Sequence, residues 1–264
     1  MNNDVLLKDS IKKMTAEIAA VLNENGPSVY LYGSVVLGDF RLGWSDIDLL
    51  VLTREPITAV QAEKLLHLRQ SLTEGEPENP YYRLFEGGML PLSAFLTDMP
   101  DTVVYWGTSG ERITDRYVFD SFCRLELLEI GVLLYGPDVR EQITRPSYED
   151  LRSDVRRHYE AVRAYGSTTG KSLYSFGWLL DISRCIYTLR TGKIIAKTKA
   201  GVWALENGLC PDAAALETAV DLRLEPKRFQ RETALQLSAA SLGAAVQQYA
   251  DVLQTELEYN DGTV

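Results

Sequence analysis

The chain has 264 residues, of which 45% are hydrophobic and 24% are charged, and its formal net charge is −10. This length and composition fit a globular protein of one large or two modest domains, and they exclude a disordered or fibrous chain. The negative charge argues against a long nucleic acid as partner, and the lack of a long apolar run or a signal sequence argues against a membrane partner, so we expect a cytoplasmic protein.

Helix and strand patterns alternate over the first half of the chain. Apolar residues recur with helical spacing in two stretches, and short β-branched or aromatic runs predict four strands. In chain order these elements are helix 5–23, strand 28–32, strand 47–52, helix 59–73, strand 83–86 and strand 102–106. We expect Gly87-Gly88 to end the third strand early. The alternation predicts an α/β domain with a mixed sheet at residues 1–140.

From about Tyr117 onward the strand signals stop and the pattern becomes helical. The predicted helices are 117–134, 148–165, 173–190, 198–207, 212–222 and 230–257. The predicted linker lies at this change and contains two turn-like stretches, Gly136-Pro137-Asp138 and Arg145-Pro146-Ser147. We therefore predict an all-α C-terminal domain at residues 148–264.

One segment in the first half combines residues that bind phosphate and metal. Gly33 and Ser34 follow a predicted strand and begin a short helix, where backbone N–H groups and a hydroxyl favour polyphosphate. Asp46 and Asp48 open the next strand, and side chains two residues apart on a strand share a face. Two adjacent carboxylates favour a divalent cation such as Mg²⁺, and Ser45 could add a hydroxyl to the phosphate ligands.

An Asp-x-Asp triplet more often marks a turn and a cap on a surface strand. Here Asp48 lies within Ile47–Leu52, a run apolar enough to be buried on both faces. A carboxylate in such a strand is costly unless a metal or a partner compensates its charge. The context therefore favours a metal site over a turn.

The spacing from Gly33-Ser34 to Asp46-x-Asp48 resembles the signature of the DNA polymerase β-like nucleotidyltransferases. In the second half, Ile182–Lys197 and Gly201–Ala204 resemble the helical domain of the streptomycin/spectinomycin aminoglycoside adenylyltransferases. The resemblance implies a two-domain enzyme that binds ATP and Mg²⁺ in a cleft between its domains. It would transfer AMP to a hydroxyl group of a small cationic acceptor, such as an aminoglycoside, and release pyrophosphate.

The resemblance also assigns roles to individual residues. Asp46 and Asp48 would hold two metal ions, while Gly33, Ser34, Arg184 and Lys197 would lie at the nucleotide phosphates. Thr198 is a plausible N-cap of the helix that follows Lys197, so this helix terminus would add to the attraction for an anion. On their own, Arg184 fits an ion pair with Asp181 and Lys197 fits a solvated helix start.

The family's chemistry needs a third carboxylate that accepts a proton from the attacking hydroxyl. Glu86 is our candidate, although Gly87-Gly88 after it departs from the apolar β-branched residues of the family. Asp98 or Asp101 are the alternatives. Trp106 is a weak candidate for stacking on the substrate, because core packing explains most aromatic residues in this region.

The sequence alone leaves two alternative functions open. The same reaction could use another acceptor, such as a different antibiotic or a protein side chain, since no motif identifies the acceptor. Alternatively, the protein could be a nucleotide-binding regulator that has lost catalysis. Addition of nucleotides to a nucleic-acid end is disfavoured because the chain lacks a basic stripe.

Overall fold

The computed structural model describes residues 4–107 and 110–259, and these fall into two compact units. Unit 1 comprises the chain up to Phe40 together with Asp46–Arg145. Unit 2 comprises Arg41–Ser45 together with the chain from Pro146 onward. The predicted domain ranges, 1–140 and 148–264, are continuous, so they did not anticipate the place of Arg41–Ser45.

Unit 1 is built on a mixed sheet in which six strands follow the order β5-β4-β3-β2-β1-β6. The strands are β1 Pro27–Leu31, β2 Ile47–Thr53, β3 Phe85–Pro91, β4 Val103–Gly107, β5 Gly110–Thr114 and β6 Val132–Tyr135. β2 and β3 are parallel, and the other neighbouring pairs are antiparallel. The predicted α/β unit with a mixed sheet is confirmed.

Five α-helices accompany this sheet in the described part of unit 1. They are α1 Val5–Leu22, α2 Gly33–Val36, α3 Ala59–Gly75, α4 Leu92–Thr97 and α5 Ser121–Glu129. The Asp4 side chain caps α1 by accepting a hydrogen bond from Leu7 N–H, and Thr58 opens α3 with a capping box. Phe95 of α4 and Leu127 of α5 pack into the apolar core on one face of the sheet.

Unit 2 is helical, as predicted. Its helices are α6 Tyr148–Tyr165, α7 Gly177–Thr191, α8 Lys197–Glu206, α9 Ala213–Leu224, α10 Lys227–Arg231, α11 Thr233–Ala240 and α12 Gly243–Tyr259. α7 is central, because it packs against α6, α8, α9 and α12. Within the part of the chain that the structure describes, no helix is both long and apolar enough to cross a membrane.

The predicted helix 117–134 was wrong at both ends. The observed α5 is shorter, and its last turn closes on Gly131, whose N–H donates to the carbonyl groups of Glu126 and Leu127. The chain then enters β6, where Leu133 pairs with Tyr30 of β1. Helical spacing of apolar residues cannot distinguish a short buried strand from the continuation of a helix.

Two further predictions about element ends were wrong. β3 continues through Gly87-Gly88, and its parallel pairing with β2 extends from Phe85 to Pro91. The predicted helix 230–257 is interrupted near Glu232 and near Ser241, so three helices occupy this stretch. Apolar periodicity persisted across both interruptions, which is why the sequence pattern did not reveal them.

Candidate active site

The turn between β1 and α2 lies directly against Asp48. Tyr32 N–H donates to the Asp48 carbonyl oxygen at 3.1 Å, and the next residue, Gly33, has a φ of +68°. A Cβ atom at Gly33 would collide with the Asp48 carboxylate. Glycine is therefore required here both by the backbone conformation and by the close approach of a side chain.

Three predicted carboxylates come together at the start of two parallel strands. Asp46 immediately precedes β2, and Asp48 on β2 is the register partner of Glu86 on β3. All three side chains are half-buried, so the group remains open on one side. The structure thus places Glu86 beside Asp48, whereas Asp98 is exposed at the end of α4 and the Asp101 carboxylate accepts a hydrogen bond from Thr102 N–H at 2.6 Å.

The electrostatics of this group favour a cation. Burial raises the pKa of Asp48 to about 8, and repulsion from Glu126, Asp46 and Glu86 adds to the effect, while a hydrogen bond from the Ser34 backbone N–H opposes it. Glu126 lies on α5 and is buried. A bound divalent cation would offset the burial and the repulsion that together keep a proton on Asp48.

The carboxylate donors fit a hard divalent cation such as Mg²⁺. Mg²⁺ prefers carboxylate oxygens, and it is usually held by one or two protein carboxylates together with waters and substrate phosphates. Within residues 4–107 and 110–259, no three His, Cys, Asp or Glu side chains form a complete metal-binding group by themselves. Asp46 and Asp48 therefore match a site that is completed by a phosphate ligand.

Ser34 connects the α2 turn to both aspartates. Its hydroxyl donates to the Asp46 carbonyl oxygen at 3.2 Å, and its backbone N–H donates to the Asp48 carboxylate. The predicted neighbourhood of Gly33, Ser34, Asp46 and Asp48 is thus present in unit 1. α2 has only four residues, so the phosphate-binding role predicted for Ser34 would depend on these side-chain and backbone groups more than on a helix dipole.

Ser45 belongs to unit 2 and is held by a residue that the sequence pattern did not identify. The Ser45 hydroxyl oxygen accepts hydrogen bonds from Arg41 N–H at 3.0 Å and from the Arg223 guanidinium at 3.2 Å. The same guanidinium lies 5.4 Å from the centre of the Trp44 ring. Arg223 is buried and 178 residues away in sequence, so no local motif could have linked it to Ser45.

Arg184 and Lys197 lie near one another in unit 2. The Lys197 ammonium is 2.8 Å from the Asp181 carboxylate. Burial raises the pKa of Asp181, but the charges of Lys197 and Arg184 outweigh it and leave that pKa lowered. The predicted N-cap at Thr198 was wrong, because α8 already begins at Lys197. The ion pair with Asp181 that was the simpler interpretation of Arg184 is therefore observed for Lys197, which was expected to be a solvated residue at a helix start.

Trp106 is placed in the core of unit 1. It is 1% exposed, and its indole N–H donates to the Leu65 carbonyl oxygen at 3.0 Å. A ring that is buried in this way has no surface left for stacking on a substrate, so Trp106 has no place in the proposed chemistry. The neighbouring Tyr105 is the more informative residue, because its hydroxyl donates to the Glu86 carboxylate at 3.0 Å.

Comparisons with known proteins agree with this arrangement in both halves of the chain. A model of the nucleotidyltransferase domain matches residues 13–78, and a model of the aminoglycoside adenylyltransferase C-terminal domain matches residues 147–256. No curated protein matches the chain. The resemblance predicted from the two sequence stretches is confirmed.

One solved structure shows the same fold over nearly the whole chain. It is the spectinomycin adenyltransferase AAD(9) from Enterococcus faecialis with ATP and spectinomycin, which shares 19% sequence identity with this chain. The match covers 94% of this chain and 99% of the other, with a TM-score of 0.71. The predicted combination of an α/β unit and a helical unit is therefore confirmed as one known architecture.

Proposed function

We propose that this chain, an aminoglycoside adenylyltransferase-like nucleotidyltransferase, transfers AMP from ATP to a hydroxyl group of an aminoglycoside-type antibiotic and releases pyrophosphate. The observation that carries this proposal is the group formed by Asp46, Asp48 and Glu86 beside the Gly33-Ser34 turn. The solved adenyltransferase with the same fold was crystallised with ATP and spectinomycin, which supports the choice of both substrates.

Asp46 and Asp48 would hold Mg²⁺ in the proposed reaction. When bound, Mg²⁺ supplies positive charge that stabilises the charge developing on the phosphate oxygens. The Ser34 hydroxyl, which donates to the Asp46 carbonyl oxygen at 3.2 Å, would turn to donate to a phosphate oxygen instead. Ser45, Arg184 and Lys197 are proposed as further phosphate ligands. The Asp181 carboxylate that pairs with Lys197 would keep the ammonium in position.

Glu86 is the proposed general base. It would accept the proton of the acceptor hydroxyl as the hydroxyl oxygen attacks the α-phosphorus of ATP in line with the bond to pyrophosphate. The new P–O bond joins AMP to the acceptor, and the bond between the α-phosphorus and the bridging oxygen breaks. Tyr105 would keep the Glu86 carboxylate in place through its hydrogen bond at 3.0 Å.

The acidic character of the site supports a cationic acceptor. Asp46, Glu86 and Glu126 lie close enough to Asp48 to raise its pKa, so acidic side chains are concentrated in one region of a chain whose formal net charge is −10. Amino groups of an antibiotic would be attracted to such a site, whereas a phosphate-rich acceptor would be repelled. The cytoplasmic location expected from the sequence is part of the same proposal.

Pyrophosphate release tests this function. Wild type, Asp48→Asn and Glu86→Gln would be assayed with ATP, Mg²⁺ and a panel that includes streptomycin and spectinomycin. We expect release that depends on one drug. Glu86→Gln should lose about 100-fold or more, because a general base contributes about 10²–10⁴-fold. Asp48→Asn should also lose most of the release, because it removes a proposed Mg²⁺ ligand. Asp98→Asn serves as the control, because Asp98 is an exposed acid outside the carboxylate group.

The alternatives predict different results in the same assay. A nucleotide-binding regulator would show a rise in Tm with ATP but no release with any acceptor. A different acceptor class would give no release with the antibiotics and release with another hydroxyl compound. Activity that survives in Asp48→Asn would contradict the assignment of the site itself.

A further inference from the structure

Unit 1 contains a cavity between α1 and the edge strand β6. Its volume is about 790 Å³, within the range of about 300–1,000 Å³ that is typical of small-molecule sites. We call it the α1–β6 groove. One wall is the α1 helix, and the floor includes Leu31 of β1 and Leu134 of β6. None of the carboxylates of the candidate active site lines it.

The floor of this groove is lined by apolar residues, and it is left uncovered because β6 is the last strand of the sheet. β6 pairs with β1 on one side only, and Val132 and Tyr135 at its ends remain 37% and 43% exposed. On the α1 side, Ala16 and Ala20 are small and exposed, so they leave the space above the floor open. An apolar surface of this kind gains free energy when a hydrophobic ligand covers it.

The two ends of the groove differ in charge. Lys8, Lys12, Ala16 and Ala20 follow one another at intervals of four residues, so they form one row along α1. Both lysines line the groove and are exposed, and in the part of the chain that the structure describes neither forms an ion pair. By contrast, Lys13 on a different face of α1 pairs with Glu76. Two cations therefore stand at one end of an apolar groove in an otherwise acidic chain.

We propose that the α1–β6 groove binds a single-chain amphipathic carboxylate. Its carboxylate would lie at Lys8 and Lys12, and its alkyl chain would run along Ala16 towards Ala20. The row from Lys8 to Ala20 spans about 18 Å at 1.5 Å per residue. An extended twelve-carbon carboxylate is roughly 15 Å long, since bonds of about 1.5 Å meet at tetrahedral angles. The length of the groove, its apolar floor and its cationic end thus all match a single-chain amphipathic carboxylate.

Other occupants account for fewer of these observations. A peptide that extended the sheet would pair with the outer edge of β6 in the plane of the sheet, and it would leave the groove and its lysines unused. A second copy of this chain would also carry a net charge of −10, which opposes self-association. The amphipathic carboxylate uses both the apolar floor and the cationic end.

Titration calorimetry with dodecanoate below its micelle concentration tests the proposal on the full-length protein. We expect one binding site in wild type, and at least 10-fold weaker binding of dodecanol, which lacks the charge. The double variant Lys8→Glu/Lys12→Glu should weaken dodecanoate binding at least 10-fold. Ala16→Trp, which fills the groove from an exposed position, should abolish it, whereas Lys64→Glu on the exposed side of α3 should leave it unchanged.

Three outcomes would overturn the proposal. They are no dodecanoate binding to wild type, equal binding of dodecanoate and dodecanol, and binding that persists in both Lys8→Glu/Lys12→Glu and Ala16→Trp. Gel filtration adds a fourth, because a dimer that dissociates in Ala16→Trp would show that a second copy covers the groove. A thermal melt of each variant verifies folding, and Ala20→Glu provides a second change inside the groove should Ala16→Trp fail to fold.

Discussion

Tyr105 contacts the proposed general base, a role that the sequence alone did not indicate. Its hydroxyl donates to Glu86, and its ring lies 4.2 Å below the guanidinium carbon of Arg112. Burial raises the pKa of Tyr105, and the negative charge of Glu86 raises it further, so the phenol remains a donor at neutral pH. A carboxylate held by a phenol has one preferred orientation towards the acceptor hydroxyl.

Tyr105→Phe keeps the ring and removes only this hydrogen bond. We expect kcat to fall about 10-fold to 100-fold, because a hydrogen bond to a charged group contributes about 1.5–3 kcal/mol. The KM for ATP should change little, since the ring packing and the residues proposed to bind phosphate are retained. Steady-state kinetics with the identified drug measure both constants.

Tyr82→Phe is the matched control for this change. The Tyr82 hydroxyl donates to Glu76 at 3.1 Å, so the same type of hydrogen bond is lost away from the carboxylate group. If both variants lost the same fraction of kcat, the loss in Tyr105→Phe would reflect a general destabilisation of the protein and not the positioning of Glu86.

The sequence predicted only those site residues that belong to a short motif or follow it at a known spacing. Asp46 immediately precedes β2, Asp48 lies on β2, and Glu86 lies near the start of β3, the next strand in sequence, so spacing and resemblance brought the three together. Tyr105 and Arg223 were missed because each acts on a residue that is distant in sequence, at separations of 19 and 178 residues. Such contacts depend on how strands and helices pack.

Strand β3 depends on the glycine that follows Glu86. Gly87 has a φ of +147°, and a Cβ atom at this position would collide with the Leu49 carbonyl oxygen of β2. The Gly87-Gly88 pair therefore does not end the strand; it allows β3 to approach the strand that carries Asp48. The departure from the family's apolar pattern after Glu86 has this structural cause.

Gly87→Ala should lower the free energy of unfolding by about 2–4 kcal/mol, because it combines backbone strain with a clash against a main-chain carbonyl. Gly75→Ala is the control, since Gly75 ends α3 with open space where a Cβ would lie. That variant should stay within about 1 kcal/mol of wild type. Urea denaturation compares the two, and equal stability of both variants would refute the argument.

At the level of elements, a helix with a clear N-terminal cap was predicted most accurately, whereas two short strands at the sheet edges were missed. The helix 148–165 was predicted with its observed bounds, because a Ser147 cap and a continuous amphipathic pattern define it. β5 and β6 were not predicted, since each is short and depends on pairing with a neighbour for its stability. Local sequence carries little information about such pairing.

Asp48 gives the whole molecule a predicted dependence of stability on pH. Its pKa rises from an ordinary value of 3.8 to about 8 in the fold, so between these values the folded chain binds a proton that the unfolded chain has lost. Stability therefore falls as the pH rises through this window. A divalent cation on the carboxylates would oppose this trend, because it favours the charged form.

Thermal melts of metal-free wild type and Asp48→Asn, from pH 5 to pH 9, test this expectation. The Tm of Asp48→Asn should exceed that of wild type by a margin that grows up to about pH 8 and then levels off. Adding Mg²⁺ at pH 8 should raise the Tm of wild type more than that of the variant. A Tm difference that is independent of pH would exclude a strongly perturbed Asp48.

The position of Arg41–Ser45 constrains recombination between the two halves of this protein. They lie in the N-terminal half of the sequence, yet they pack with the helical unit, where Arg223 holds Ser45 and Trp44. A genetic crossover at the junction near Arg145 and Pro146 would join the helical half to a foreign partner for Arg223. An exchange of the helical half between relatives is therefore expected to preserve the contacts of Arg223 only if Arg41–Ser45 is exchanged with it.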